Sequence, residues 1–360
     1  MNAEQAPAEG ATERKRVQDK AGKAAAQKPP LRAVFMGTPE FAATIMQKVA
    51  ASEHVQILAA YTQPDRPAGR GKKLTPPPVK VLAESLGIPV FQPLNFKNTP
   101  EGDAAAEHLA GLKPDVLLVA AYGLILPQRV LNIPSLMPIN VHASLLPKYR
   151  GAAPIQRSIM AADHITGVTI MRMEAGLDTG PMLMQRAVGI DLNDTSASLH
   201  EELAREGAEL LLLALERLRA GALASIPQDE ARVSHAAKLT KEESRLDLAL
   251  TPIRLHAAIR GLTPWPGAQL TLEREGEEPL AVQIFPGVFP LSEKMSARCE
   301  EKAETAGCGD ILGVVENALL VRCGEGCYAV TKLKPAGKQA MDAASFANGY
   351  LKNAKSSRLG

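Results

Sequence analysis

From Leu31 onward the chain alternates short apolar runs with longer stretches of helical period, and this rhythm restricts its fold more than any other feature. Apolar runs at 31–36, 55–61, 115–122 and 139–142 are separated by helical stretches such as 41–51, 79–86 and 103–112. Strands that alternate with helices are joined by crossovers, so they lie side by side in a parallel sheet with helices on its faces. The expected fold class is therefore α/β, with a Rossmann-like, mostly parallel sheet. Two further strands, 167–173 and 182–190, precede a helix over 196–219 whose leucines recur at helical spacing. After Gly221 the segment ALASIPQDEARVSHAAKLT has no sustained period and reads as a linker. The remainder carries a leading helix and short strands at 269–272, 281–285, 310–316, 318–323 and 328–333, divided by Gly, Pro and acidic turns. That spacing suggests a smaller β-barrel of the OB-like kind.

The expected organisation is a disordered tail over 1–30, an α/β domain over 31–221, a linker over 222–240, a barrel over 241–350 and a tail over 351–360. Within the barrel, 286–308 reads as a long polar loop. A chain of 360 residues with 46% apolar content is long enough for two such cores. Its formal charge of +2 exerts no global pull on nucleic acid or membrane, so any basic footprint must be local. The four cysteines, Cys299, Cys308, Cys323 and Cys327, are too few for a disulfide scaffold and have no histidine at zinc-ligand spacing. They read as free thiols in a reducing cytoplasm. No apolar stretch approaches the ~20 residues of a membrane span. The first 30 residues lack the apolar core of a secretory signal, and Glu4, Glu9, Glu13 and Asp19 argue against a mitochondrial presequence.

Several familiar phosphate and nucleophile motifs fail. The first strand runs into MGTPEFA, where Gly37 is the only glycine, so the dinucleotide fingerprint is incomplete. The turn is expected to start a helix with Thr38 as N-cap and Pro39 at its first position. GRGKKL at 69–74 lacks the spacer and the terminal Ser or Thr of a P-loop. Ser144 lacks the flanking glycines of a nucleophile elbow.

The chemistry concentrates in NVHASLLPKYRG at 140–151 and in EAGLDTG, which brings Asp178 27 residues after Gly151. Asn140 and His142 are two apart at a strand end, so their side chains leave the same face of the sheet. At the carboxyl edge of an open α/β sheet they would line the ligand crevice, with the SLLP turn fixing them there. An amine attacking an acyl carbon drives negative charge onto the acyl oxygen, which calls for hydrogen-bond donors. The Asn140 amide supplies one and a protonated His142 another. A carboxylate such as Asp178 would favour the charged imidazole and could take a proton from the attacking ammonium. Each residue also has a plainer reading: a structural histidine, a turn-forming Asn, and an Asp that bonds its own backbone in an Asx-turn.

Two basic segments stand out locally. Loop 65–80 carries Arg66, Arg70, Lys72, Lys73 and Lys80 against Asp65, and Gly69, Gly71 and four prolines are expected to keep it out of regular structure. Beside an acyl-transfer crevice such a loop suits the phosphates of a nucleic acid, although composition equally fits a solvated loop. Lys332, Lys334 and Lys338 cluster around Pro335 and Gly337 in the barrel, an edge of the kind that follows a nucleic-acid backbone. Trp265, the only tryptophan, reads as a core residue rather than a base-stacking one.

In order and spacing, MGTPEFA at 36–42, TQPDRPAGRGKKLTPPPVK at 62–80, AAYGLILP at 120–127, INVHASLLPKYRGAAPIQ at 139–156, GVTIM at 167–171 and GLDTGPM at 176–182 resemble the 10-formyltetrahydrofolate-dependent formyltransferase family. LTPWPGA at 262–268 and LKPAGKQAM at 333–341 extend the likeness over about 31–350. The resemblance implies Asn140, His142 and Asp178 as catalytic residues, Ser144, Leu145, Leu146 and Pro147 as the folate-site motif, and Ala121, Tyr122, Gly123, Leu124, Ile125 and Leu126 as the pterin wall. It implies direct transfer from 10-formyltetrahydrofolate, with no metal and no acyl-enzyme, in a monomer. The basic loop and second domain narrow the implied acceptor to the amine of methionyl-initiator tRNA, contacted by Arg66, Arg70, Lys72, Lys73 and Lys338. Departures from the family pattern are the tail before Leu31, the stretch 286–308, and Ala143 where some members have glycine. Two other readings stay open: a family enzyme that formylates an amino sugar or purine precursor or hydrolyses formyl-folate, and a non-catalytic RNA-binding protein.

Overall fold

The computed structural model describes residues 29–68, 71, 73–352 and 357–360. In chain order the first domain comprises β1 (Leu31–Gly37), α1 (Glu40–Ala50), β2 (Val55–Tyr61), β3 (Arg66–Ala68), β4 (Lys73–Thr75), α2 (Pro78–Ser85), β5 (Val90–Phe91), α3 (Pro100–Gly111) and β6 (Val116–Ala120). It continues through α4 (Gln128–Leu131), β7 (Met137–His142), β8 (Arg150–Gly151), α5 (Pro154–Met160), β9 (Ile165–Arg172), β10 (Met182–Gly189) and α6 (Ser196–Ala220). Seven strands form one sheet in the order β10-β9-β7-β6-β1-β2-β5, parallel from β7 to β5, with β9 and β10 antiparallel additions at one edge. From β1 the chain goes first to β2 and β5 and then returns to β6 and β7 on the other side. The resulting switch point between β1 and β6 is where an α/β sheet opens a crevice at its carboxyl edge.

Helices cover both faces, so consecutive residues of β1 are buried: Ala33 and Phe35 in one core, Val34 and Met36 in the other. α6 begins with a reciprocal cap between Thr195 and Ser198 and stops at Gly221, which is left-handed at φ 72°. Midway along it, Gly207 lets the helix backbone come close to β7, because an added Cβ would stand 2.9 Å from Val141 Cγ1. α1 starts one residue later than its sequence suggests. Pro39 is the N-cap, and the Thr38 hydroxyl instead donates to the Tyr122 carbonyl at 2.9 Å.

After β11 (His235–Ala236) in the connecting segment, the second domain runs through α7 (Pro252–Leu262), β12 (Ala268–Arg274), β13 (Leu280–Ile284), α8 (Glu293–Glu301), β14 (Ile311–Val315), β15 (Ala318–Cys323), β16 (Gly326–Val330), β17 (Lys332–Pro335), β18 (Met341–Asp342), α9 (Ala343–Tyr350) and β19 (Ser357–Leu359). Its two sheets, β18-β17-β13-β12-β19 and β14-β15-β16, enclose one core that includes Leu270, Val282, Leu319, Val330 and Leu333. This is the smaller barrel-like unit expected. Among the described residues no helix is long and apolar enough to cross a membrane.

Several expectations are corrected. Within the basic loop, residues 66–68 and 73–75 pair as β3 and β4 rather than staying irregular. Residues 286–308 contain α8, which is short of apolar residues but turns Met295 and Cys299 inward against β14–β16. The chain end is not wholly a tail, because β19 completes a sheet edge against β12. Trp265 is 55% exposed between two prolines rather than packed in the core. Cys299 and Cys327 are disulfide-bonded, since α8 packing brings together two sulfurs that are 28 residues apart in sequence. Cys308 and Cys323 remain free, and burial pushes the Cys323 thiol up to about 12.

Candidate active site

β7 is a central strand, laddered to β6 on one side and β9 on the other, and it delivers Asn140 opposite Met171 and His142 opposite Thr169. Backbone bonds on both sides leave the two side chains little positional freedom. Asn140 is 9% and His142 5% exposed. The strand is followed by a tight turn in which the Ser144 hydroxyl donates to the Lys148 carbonyl at 2.7 Å, and the Thr169 hydroxyl donates to the Ser144 carbonyl at 2.7 Å. This turn aims the Tyr149 carbonyl back at His142 Nε2, 3.0 Å away. A carbonyl can only accept, so Nε2 carries a proton and Nδ1 is the nitrogen that faces the site.

Asp178 reaches the same place from the turn between β9 and β10, in a left-handed conformation at φ 52° that Asp tolerates better than most residues. Its carboxylate does not close an Asx-turn. Oδ2 accepts the Gly151 N–H at 2.8 Å and lies 3.6 Å from His142 Nδ1. No hydrogen bond to Oδ1 or to the Asn140 amide is made among the described residues. A carboxylate oxygen, an imidazole nitrogen and an amide thus border one space with their hydrogen-bonding capacity uncommitted.

That space is a cavity of about 590 Å³. Ala121, Tyr122, Gly123, Leu124 and Ile125 line it beside Asn140, His142 and Asp178. Of this segment, Tyr122 contributes backbone: its ring is buried in the core, and its carbonyl is held by Thr38 and by Gln63 Nε2 at 3.1 Å. Leu126 leaves the wall and packs with Val130 and Leu131. His200, on α6, also lines the cavity, edge-on to Phe41 at 5.2 Å, and burial lowers its pKa.

The structure does not bring the SLLP motif to this wall. Ser144 is fully buried, and Leu145, Leu146 and Pro147 face a separate cavity of about 540 Å³ that also involves Tyr149 and Ile226. The hydrogen bonds of Ser144 to Lys148 and Thr169 turn the chain away, so the motif stands behind His142 rather than beside it. Of the basic residues, Arg66 and Lys73 are exposed on the hairpin, with Arg66 donating to Gln63 Oε1 at 2.7 Å. Arg70 and Lys72 lie outside the described residues. Lys338 is exposed in the turn between β17 and β18.

Sequence reasoning missed the residues that hold the site together. Gln228, in the supposed linker, donates from Nε2 to the Asp178 and Gly180 carbonyls, both at 2.7 Å. Arg150, 4% exposed, donates from Nε to Gln228 Oε1 at 3.0 Å and pairs with Glu230 at 2.7 Å. The Ser234 hydroxyl accepts from Tyr149 N at 2.9 Å, and β11 pairs in parallel with β8. Only Arg150 was visible, inside the YRG motif.

The family model described as Formyl transferase matches residues 31–215, and that described as Formyl transferase, C-terminal domain, matches 238–351. Methionyl-tRNA formyltransferase of Nitratidesulfovibrio vulgaris (strain DP4) is 46% identical over 327 residues, 91% of this chain and 95% of that protein. Methionyl-tRNA formyltransferase of Ectopseudomonas mendocina (strain ymp) is 47% identical over 310 residues, 86% and 91% of the two chains. Among solved structures, an N-formyltransferase from Helicobacter canadensis in complex with folinic acid and dTDP-3-aminofucose superposes with a TM-score of 0.58 at 16% identity, covering 87% of this chain and all of that one. At that identity the likeness concerns the fold.

Proposed function

The chain belongs to the formyl transferase family, and from that premise we propose that it transfers the formyl group of 10-formyltetrahydrofolate to the free amine of methionyl-initiator tRNA. Relatives named for that activity match nearly the whole chain at 45–47% identity. The observation that supports the reading most is the meeting of Asn140, His142 Nδ1 and Asp178 on one wall of the 590 Å³ cavity. That volume lies within the ~300–1,000 Å³ of small-molecule sites. A wall of backbone and apolar side chains at 121–125 suits a flat heterocycle.

The folate, when bound, supplies the formyl carbon as electrophile. As the amine attacks, the formyl oxygen gains negative charge, and the Asn140 amide and protonated His142 Nδ1 are the donors for it. Asp178 Oδ1 takes the proton that the attacking nitrogen must lose, while Oδ2 stays anchored on the Gly151 N–H. Collapse breaks the bond to the folate nitrogen, which leaves with the proton that Asp178 took from the amine, so the carboxylate is restored. The plain division of labour is transfer in 31–221 and tRNA holding by the basic segment 65–80 (Arg66, Arg70, Lys72, Lys73) and by Lys338 of the domain over 241–350, joined through 222–240. We place this activity in the cytoplasm and in a monomer.

Formyl transfer to methionyl-initiator tRNA, run beside methionyl-elongator tRNA and an Asp178→Asn variant, tests the reading. The expected result is formylation of the initiator alone, with kcat lowered about 10²–10⁴-fold in the variant. Consumption of formyl-folate with neither tRNA formylated would move the chain to the amino-sugar, purine-precursor or hydrolase branch of the same chemistry.

A further inference from the structure

We propose that Gln228 is a positioning residue for the transfer, and that the interdomain segment around it is a brace of the active site rather than a passive linker. The turn bearing Asp178 has little to hold it in place. It is left-handed at Asp178 and flanked by Gly176 and Gly180, and the Asp178 side chain anchors it at one point, through Oδ2 on the Gly151 N–H. The turn's backbone is held instead from 50 residues away, where both N–H groups of the Gln228 carboxamide are used, one on the Asp178 carbonyl and one on the Gly180 carbonyl. The remaining Oε1 accepts from Arg150 Nε, and the buried Arg150 guanidinium in turn donates to Glu230 through Nη1 at 3.2 Å and Nη2 at 2.7 Å. Two donors and one acceptor at this reach are what a carboxamide offers and a carboxylate does not.

The same segment fixes the partner of Asp178. Ser234 accepts from Tyr149 N through its hydroxyl and from Arg150 N through its carbonyl, at 2.9 Å each. His235 and Ala236 then pair with Arg150 and Gly151. Tyr149 supplies the carbonyl that orients His142, and Gly151 supplies the N–H that orients Asp178. Residues 228–236 therefore set both ends of the 3.6 Å approach between His142 Nδ1 and Asp178 Oδ2. A misplacement of about 1 Å at such a pair costs on the order of 10²-fold in rate.

The inference rests on Asp178 acting as described above, and its test separates the two ideas. Gln228→Glu keeps size and the acceptor for Arg150 but turns a carboxylate onto two carbonyl oxygens. Gln228→Asn stays neutral and falls one methylene short. Both are measured in the full-length enzyme for kcat, for KM toward formyl-folate and toward the tRNA, and for thermal melting. Expected is a fall in kcat of roughly 10–100-fold in Gln228→Glu and less in Gln228→Asn, with either KM changed by less than about 3-fold. Should the charged variant fail to fold, Gln228→Asn carries the prediction alone. Wild-type kcat in a folded Gln228 variant, or a loss confined to KM, would overturn the positioning role. If that happens while Asp178→Asn in the same series loses its activity, the functional reading stands and only this one falls.

Discussion

Asn140 and His142 are held in one way, Asp178 in another. The first two ride on a strand whose backbone is bonded to β6 and β9, and nothing about their side chains is needed to keep that strand in place. The third rides on a left-handed turn whose anchors come from Gly151 and Gln228, 27 and 50 residues away in sequence. Two of the three residues are thus held by the sheet, and the third by Gly151 and by a segment that looks like connecting chain. The strand half should therefore tolerate loss of its functional groups without loss of fold. The turn half is sensitive to residues that never touch a substrate.

Asn140→Ala tests the strand half and has the larger expected effect on rate of the two variants that probe this contrast. Removing one donor to a developing oxyanion costs about 10²–10³-fold in kcat. Melting temperature should stay close to wild type, because the lost amide makes no hydrogen bond among the described residues and the ladder is backbone. A drop in melting as large as that of a core deletion would break the comparison. Gly151→Ala tests the turn half. Gly151 has φ 127°, and an added Cβ would stand 2.6 Å from the Ala236 carbonyl oxygen, so β8 and β11 must separate. We expect about 1–3 kcal/mol of destabilisation and a fall in kcat near 10-fold as the N–H on Asp178 shifts. Denaturant melts and steady-state kinetics on the same preparation measure both. Unchanged kcat with lowered stability would show that the brace matters to folding and not to chemistry.

What was legible in the sequence follows the same division. The β7 pair could be read because strand alternation places residues two apart on one face, and α6 because leucines at helical spacing signal their own burial. α8 was missed because EKMSARCEE buries only Met295 and Cys299 among charged residues, leaving no stripe to detect; its one local signal was Ser292, whose hydroxyl caps Met295 N. The Cys299–Cys327 bond and the Gln228 contacts are tertiary, and no local pattern encodes them. Ser144–Pro147 shows how little adjacency in sequence fixes placement: the motif directly follows His142, yet Leu145, Leu146 and Pro147 line a second cavity while Ser144 is held by Lys148 and Thr169.

Apart from both halves stands the contact that seats α7 against the first domain, and it gives the smallest and most pH-specific prediction. His256 is 1% exposed. The Tyr328 hydroxyl accepts from Gly287 N at 2.7 Å, so its own proton goes to His256 Nδ1 at 3.0 Å, and His256 Nε2–H donates to the Leu192 carbonyl at 2.7 Å. Every position on the ring is used in its neutral form. Burial is the main cause that lowers its pKa below the ordinary 6.5, and the nearby Arg260 guanidinium adds to the effect. Because the folded-state pKa is the lower one, this histidine contributes stability that is complete above pH 6.5 and is lost as pH falls through the folded value. Acidification should therefore loosen the seat of α7 on the first domain before it touches the sheet. Melting measured between pH 7.5 and 5 should fall by a few degrees more in the wild type than in His256→Gln, whose amide does not titrate, on the order of the shift a 1 kcal/mol change produces. Parallel pH curves for the two proteins would assign the acid sensitivity elsewhere and leave the domain contact independent of proton uptake.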